Sequence, residues 1–136
     1  GTNAGWAYNN FPFMGEDFLP PILQKNHFFS LDKLFNDIGF LQFIHRVLAT
    51  LTLFFTIFTV YRSYKLRLFK GHINIISLVF FAVVLQYALG VITLKFFVPI
   101  ELGLMHQLGS LILLSLLIIS ICEIKKRRAV TRPSLS

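Results

Sequence analysis

His45 and His106 are the residues of this 136-residue chain whose type and placement invite chemistry. Each lies near the start of a long apolar stretch, and each stands sixteen residues before that stretch's last uncharged residue, Tyr61 in one case and Cys122 in the other. An imidazole in hydrocarbon is costly unless something uses it, so two at one depth point to a shared ligand. A structural zinc ion wants four protein ligands, and no cysteine or acid lies at this level; Glu101 is nearest, just beyond it. Haem needs only one or two axial ligands, which makes bis-imidazole haem ligation the economical reading of the pair. The plain alternative is that each ring hydrogen-bonds a neighbouring helix, through Gln86 or a backbone carbonyl, and spacing alone leaves both readings open. Arg46, beside His45, carries a planar fork that suits a haem propionate, although an ordinary interfacial arginine would sit here too. Gln107, beside His106, is placed to orient the ligand or a propionate, but glutamine is also common at a helix start.

The elements that hold these residues follow from composition. The chain is 55% apolar, contains sixteen phenylalanines and has a mean hydropathy of +0.69, more than a soluble domain of this length needs for its core. Residues 73–94 and 102–122 contain no charge, and each reaches the roughly 20 residues that cross a hydrocarbon core. A third run, 47–61, has fifteen residues and spans only if 40–46 is included, with Arg46 snorkelling to the interface. A buried helix of a soluble protein fits fifteen residues, but not three such segments in so short a chain. The expectation is an all-α polytopic membrane protein with three transmembrane helices, at about 40–61, 73–96 and 102–124.

Charge placement orients it. The loop 62–72 and the tail 125–136, with Glu123, hold nine basic residues against one acid, whereas residues 1–46 and 95–101 hold four against five. The positive-inside rule puts the loop and the tail in the cytoplasm or matrix. The pI near 9.9 then reports topology and a lipid bilayer as partner, with no call for nucleic acid. The first and third helices run in the same direction, so both histidines lie near the outer surface.

Residues 1–39 read as an outer loop. Asn9, Asn10, Pro12, Gly15, Pro20 and Pro21 interrupt regular structure, and Trp6, Tyr8, Phe11 and Phe13 suit the headgroup region. Leu31, Leu34, Phe35 and Ile38 follow Ser30 at helical spacing, as in a short amphipathic helix. A chain that opens inside such a loop, on Gly1, reads as a fragment or a processed product. Within the spans, Gln42, His45, Ala49, Thr52, Thr56 and Thr59 share one small or polar face, as do Ala82, Gln86, Gly90 and Thr93, and Gly103, His106 and Ser110. Such stripes are usually packing seams, and only the histidines argue for more. His27 and His72 have no positional counterpart, Met14 and Met105 read as packing, and Cys122 is the single cysteine, without an intrachain disulfide partner.

Taken in order, AGWAYNNFPFMG from Ala4 to Gly15, QFIHR from Gln42 to Arg46, QYALGVITL from Gln86 to Leu94, Val98-Pro99 and His106-Gln107 closely resemble the C-terminal half of the heme A synthase family. No single piece would carry this; the ordered set covers essentially the whole chain. The resemblance implies an eight-helix protein of two pseudo-symmetric four-helix haem-binding bundles, of which this chain matches the sixth to eighth helices and the loop before them. The fifth helix and the first bundle are absent from it. His45 and His106 match the second bundle's axial ligands for a b-type haem. The family is an oxidoreductase that oxidises a ring methyl of haem O to a formyl group, giving haem A for cytochrome oxidase, with electrons passed on through the second haem. Its substrate site and essential acid belong to the first bundle, so no catalytic residue is expected here. The resemblance further implies a haem O synthase and an electron acceptor as partners, and either a bacterial cytoplasmic membrane or the mitochondrial inner membrane; a homo-oligomer is compatible with it. The competing reading is a non-enzymatic bis-histidine haem anchor that conducts electrons for a partner complex, against which the outer-loop motif argues. A channel or transporter piece would bind no chromophore.

Overall fold

The computed structural model describes residues 7–24, 35–65 and 73–131. The described residues contain a single helical turn, α1 (Pro21–Gln24), and three long helices: α2 (Ile38–Lys65), α3 (Ile73–Lys95) and α4 (Ile100–Thr131). Each long helix is apolar and long enough to cross a membrane. Its intrahelical hydrogen bonds satisfy the backbone where no water could. The chain is a multi-pass membrane protein.

The helix ends have local causes. Asp37 caps α2, its Oδ1 accepting from the Phe40 amide at 2.6 Å, and the last turn carries Arg62 and Lys65 against the negative end of the helix dipole. At the end of α3 the amides of Phe97 and Val98 donate back to Leu94 O (3.1 Å) and Thr93 O (2.9 Å), while both residues take left-handed φ values of 60° and 54°. This is a Schellman-type termination made without glycine, at a backbone cost of roughly 1–2 kcal/mol per residue. Pro99 then opens α4, its carbonyl accepting from the Gly103 amide at 2.9 Å. Two helices overrun the expected spans. α2 continues to Lys65, and α4 continues through the basic stretch to Thr131, so most of the expected tail is helical.

The bundle is apolar outside and polar within. Among the described residues the buried apolar side chains are Met14, Pro20 and Val83, whereas Gln42, Ser63, Thr93 and Ser120 are buried polar ones. Phe55 is 73% exposed and Leu85 70%, which is the pattern of a surface facing lipid. Hydroxyls inside the spans are satisfied by their own helices: Thr52, Thr56, Thr59 and Ser63 on α2 each donate to the carbonyl four residues back, at 2.7–2.8 Å. The middle helix α3 packs along both α2 and α4, while α2 and α4 make no comparable contact with each other. The gap between them is where the site lies.

Segment 7–24 sits over one end of this gap. Tyr8 lies against Gly15 and Gly39, and a side chain on Gly39 would come within 2.8 Å of the Tyr8 ring. Gly15 has φ +86°, and the Asn10 side chain bonds its amide and its carbonyl, closing a tight loop. The short amphipathic helix expected from Leu31 onward falls largely outside the described residues, as do Trp6, His27 and His72.

Candidate functional site

A cavity of about 540 Å³ opens between the three helices. Gln42, His45, Ala49 and Thr52 line it from α2, Gln86, Gly90 and Thr93 from α3, and Gly103, His106 and Ser110 from α4. These are the small and polar faces legible in the sequence, and their convergence makes them the walls of a chamber instead of a closed seam. Thr56, Thr59 and Ala82, at the far ends of two stripes, do not reach it. Such a volume lies within the range of about 300–1,000 Å³ that takes a cofactor-sized molecule.

The two histidines face each other across it. Their ring centroids are 6.3 Å apart and the rings are nearly perpendicular, at 79°. At that distance both rings could reach one metal-bearing cofactor lying in the cavity. Among the described residues no three His, Cys, Asp or Glu side chains gather. A bare ion would lack a cage, whereas a haem would need from the protein no more than the one or two imidazoles that His45 and His106 could supply.

The His106 ring is built in closely. A Cβ on Gly90 would approach its Cε1 to 2.9 Å, so the ring lies against the bare backbone of α3. From one turn earlier on α3, Gln86 Nε2 meets three atoms of α4: His106 O at 2.7 Å, Ser110 Oγ at 2.8 Å and His106 Nδ1 at 3.1 Å. Gly109 leaves room for that amide, since a Cβ there would collide with Gln86 Oε1. The hydrogen bond between Gln86 and a histidine, the plain alternative at the sequence level, is thus present and coexists with the facing pair.

Arg46 lies beside the cavity and engages segment 7–24. Its guanidinium is outside the cavity lining and donates to the backbone carbonyls of segment 7–24: Tyr8 O at 2.7 Å, Phe13 O at 2.8 Å, Asn10 O at 3.3 Å and Pro12 O at 3.4 Å. It also lies 5.8 Å from the Phe11 ring centroid. Both terminal nitrogens of the guanidinium are engaged by these carbonyls, while its buried Nε has no partner among the described residues. Gln42 Nε2 adds a bond to Tyr8 O (3.0 Å), and Asn9 Nδ2 reaches Leu94 O at the end of α3 (2.9 Å). Gln42 Oε1, buried at the cavity wall, has no partner. Gln107 and Met105 are exposed and outside the lining, and the buried Met14 is outside it too.

Some contributors were missed in the sequence. Tyr87 lines the cavity, bonds Thr50 Oγ (3.1 Å) and stands nearly perpendicular to the Phe11 ring, with centroids 6.4 Å apart. It lies one residue off the polar face of α3, which is why periodicity passed over it. Gly109 was legible in principle, since it stands one helical turn after His106, but a lone glycine in an apolar run carries no signal by itself.

Three lipid-facing helices around an interior chamber with a histidine on two of its walls define a polytopic membrane protein with a di-histidine cavity. Comparison with known proteins narrows this further. The family described as cytochrome oxidase assembly protein, COX15-CtaA, matches residues 1–118, and the chain belongs to it. The chain is 37% identical over 122 residues to the protein named Heme A synthase of Rickettsia prowazekii (strain Madrid E), a match covering 87% of this chain and 34% of the relative. The Heme A synthase of Wolbachia sp. subsp. Brugia malayi (strain TRS) is 34% identical over 130 residues, covering 93% of this chain and 36% of the relative. The chain thus spans about a third of the length of the curated relatives it matches. No solved structure matches it.

Proposed function

We propose that this chain is the haem b-binding part of a heme A synthase, the oxidoreductase that converts a methyl group of haem O to the formyl group of haem A for cytochrome oxidase. The observation that carries the reading is the facing of His45 and His106 at 6.3 Å across a chamber of about 540 Å³. When bound, the haem would supply a one-electron couple at this point in the membrane. The chain's own residues do the rest. His45 and His106 offer ring nitrogens from two walls, Gly90 leaves room for the His106 ring, and the segment fastened by Arg46, Gln42 and Asn9 covers the chamber's end against water. None of them is assigned to substrate oxidation, which belongs to the part of the relatives outside this chain. A haem O synthase supplying substrate and an acceptor taking electrons are the partners this role requires, in a bacterial cytoplasmic or mitochondrial inner membrane with the basic ends inside. The named relatives favour this over a non-enzymatic haem anchor.

The test is a reduced-minus-oxidised optical spectrum of the chain purified in mild detergent from haem-replete cells, beside His45→Ala and His106→Ala. A low-spin b-type spectrum that disappears in both variants is expected. Folded protein without haem, or haem that survives both substitutions, overturns the assignment.

A further inference from the structure

Segment 7–24 carries Glu16 and Asp17 and no basic residue, and its backbone is folded into a seat for a cation. Four of its carbonyls, those of Tyr8, Asn10, Pro12 and Phe13, converge on the Arg46 guanidinium. Tyr8 O takes Nη2 at 2.7 Å, while the other three compete for the two protons of Nη1, Phe13 O most closely at 2.8 Å. The Phe11 ring centroid stands 5.8 Å away and adds an aromatic contact for the same cation. Carbonyls only accept, so without a donor among them these oxygens would face one another unpaired.

The cluster is built without Arg46. The Asn10 side chain bonds both the amide and the carbonyl of Gly15, the Met14 amide donates to Asp17 O, and Gly15 takes the left-handed conformation that the tight loop needs. None of these bonds involves the helices. The loop is therefore a preformed receptor, and Arg46 reaches it from the turn of α2 that also carries His45. Its several acceptors suit guanidinium better than ammonium, because a planar fork serves many acceptors from one rigid group, whereas ammonium is a compact point charge on strongly held water. We propose that loop 8–13 is a guanidinium-binding site whose tethered ligand is Arg46, and that its occupancy closes the outer end of the His45–His106 chamber. The tether supplies the cation at an effective concentration on the order of millimolar, which a soluble guanidinium matches when Arg46 is removed. Two further attachments of the segment, Gln42 to Tyr8 O and Asn9 to Leu94 O, are single bonds between neutral groups. The proposal is independent of what the chamber holds.

The test uses Ala49, which lines the chamber, as the reporter position. Ala49→Cys in a Cys122→Ser background is treated with a membrane-impermeant thiol reagent on open membrane fragments, so that the orientation of the chain has no influence. Reaction is expected to be slow with Arg46 present and on the order of tenfold or more faster in Arg46→Ala. Millimolar methylguanidinium is expected to slow Arg46→Ala back toward the rate with Arg46, and sodium at equal ionic strength to leave it fast. Asn10→Ala, which keeps Arg46 and undoes the loop, is expected to react fast with or without methylguanidinium. Equal rates with and without Arg46 overturn the closure. An Arg46→Ala chain of wild-type helix content by circular dichroism that methylguanidinium fails to slow, or that sodium slows as well, overturns the receptor. Should Arg46→Ala not fold, Asn10→Ala decides alone: slow reaction there means that the preformed loop does not hold the chamber closed, and the proposal falls.

Discussion

At the scale of the residue, the site depends as much on what is missing from glycine as on what histidine offers. Gly90 and Gly103 both line the cavity, yet they differ in what an added methyl would meet. At Gly90 it would press on His106 at 2.9 Å; at Gly103 it would make ordinary contact with Val98 Cγ1 at 3.8 Å. Gly90→Ala is therefore expected to displace the ring at an overpacking cost of about 1–3 kcal/mol, weakening haem retention roughly tenfold or more. Gly103→Ala should retain haem and gain up to about 1 kcal/mol from helix propensity. Haem titration and thermal unfolding of the two variants in detergent check this. Equal loss in both would mean that the ring's seat against Gly90 is unimportant.

At the scale of the element, the covering segment 7–24 is held by side chains from the long helices, Arg46 above all. Hydrogen bonds from a charged donor are worth about 1.5–3 kcal/mol each at most when buried, and the four carbonyls share one guanidinium. Arg46→Gln is expected to loosen the segment by about 2 kcal/mol and to speed its proteolysis while the haem spectrum persists. Haem loss with an undisturbed segment would instead support the propionate role that the position of Arg46 in the sequence invites. The polar stripes belong to this scale as well. The i, i+3, i+4 pattern that marks Gln42, His45, Ala49 and Thr52 as one face says nothing about whether a partner helix closes on that face or stands back from it.

At the scale of the whole molecule, the large exposed side chains and the uneven charges concern the bilayer. The proposed orientation puts the basic end of α4 inside and segment 7–24 outside. In a Cys122→Ser background, a cysteine at Lys126 should react with a membrane-impermeant thiol reagent only in inverted vesicles, and one at Glu16 only in right-side-out vesicles. The reverse pattern would invert the topology and put the cavity near the other face of the membrane.

The three helices, the charge asymmetry and the equal depth of His45 and His106 were legible in the sequence because each is a sum of local terms. Transfer free energy accumulates residue by residue, and helical periodicity assigns a face to every position without reference to the rest of the chain. The tertiary structure alone decided that α3 would hold α2 and α4 apart so that the polar faces enclose a chamber. It also decided that Gln86 would meet Nδ1 of a residue twenty positions away, and that Arg46 would turn to carbonyls more than thirty positions before it. A side chain's rotamer and partner are chosen by competition among all the groups that reach it in space, and that set exists only once the helices have packed.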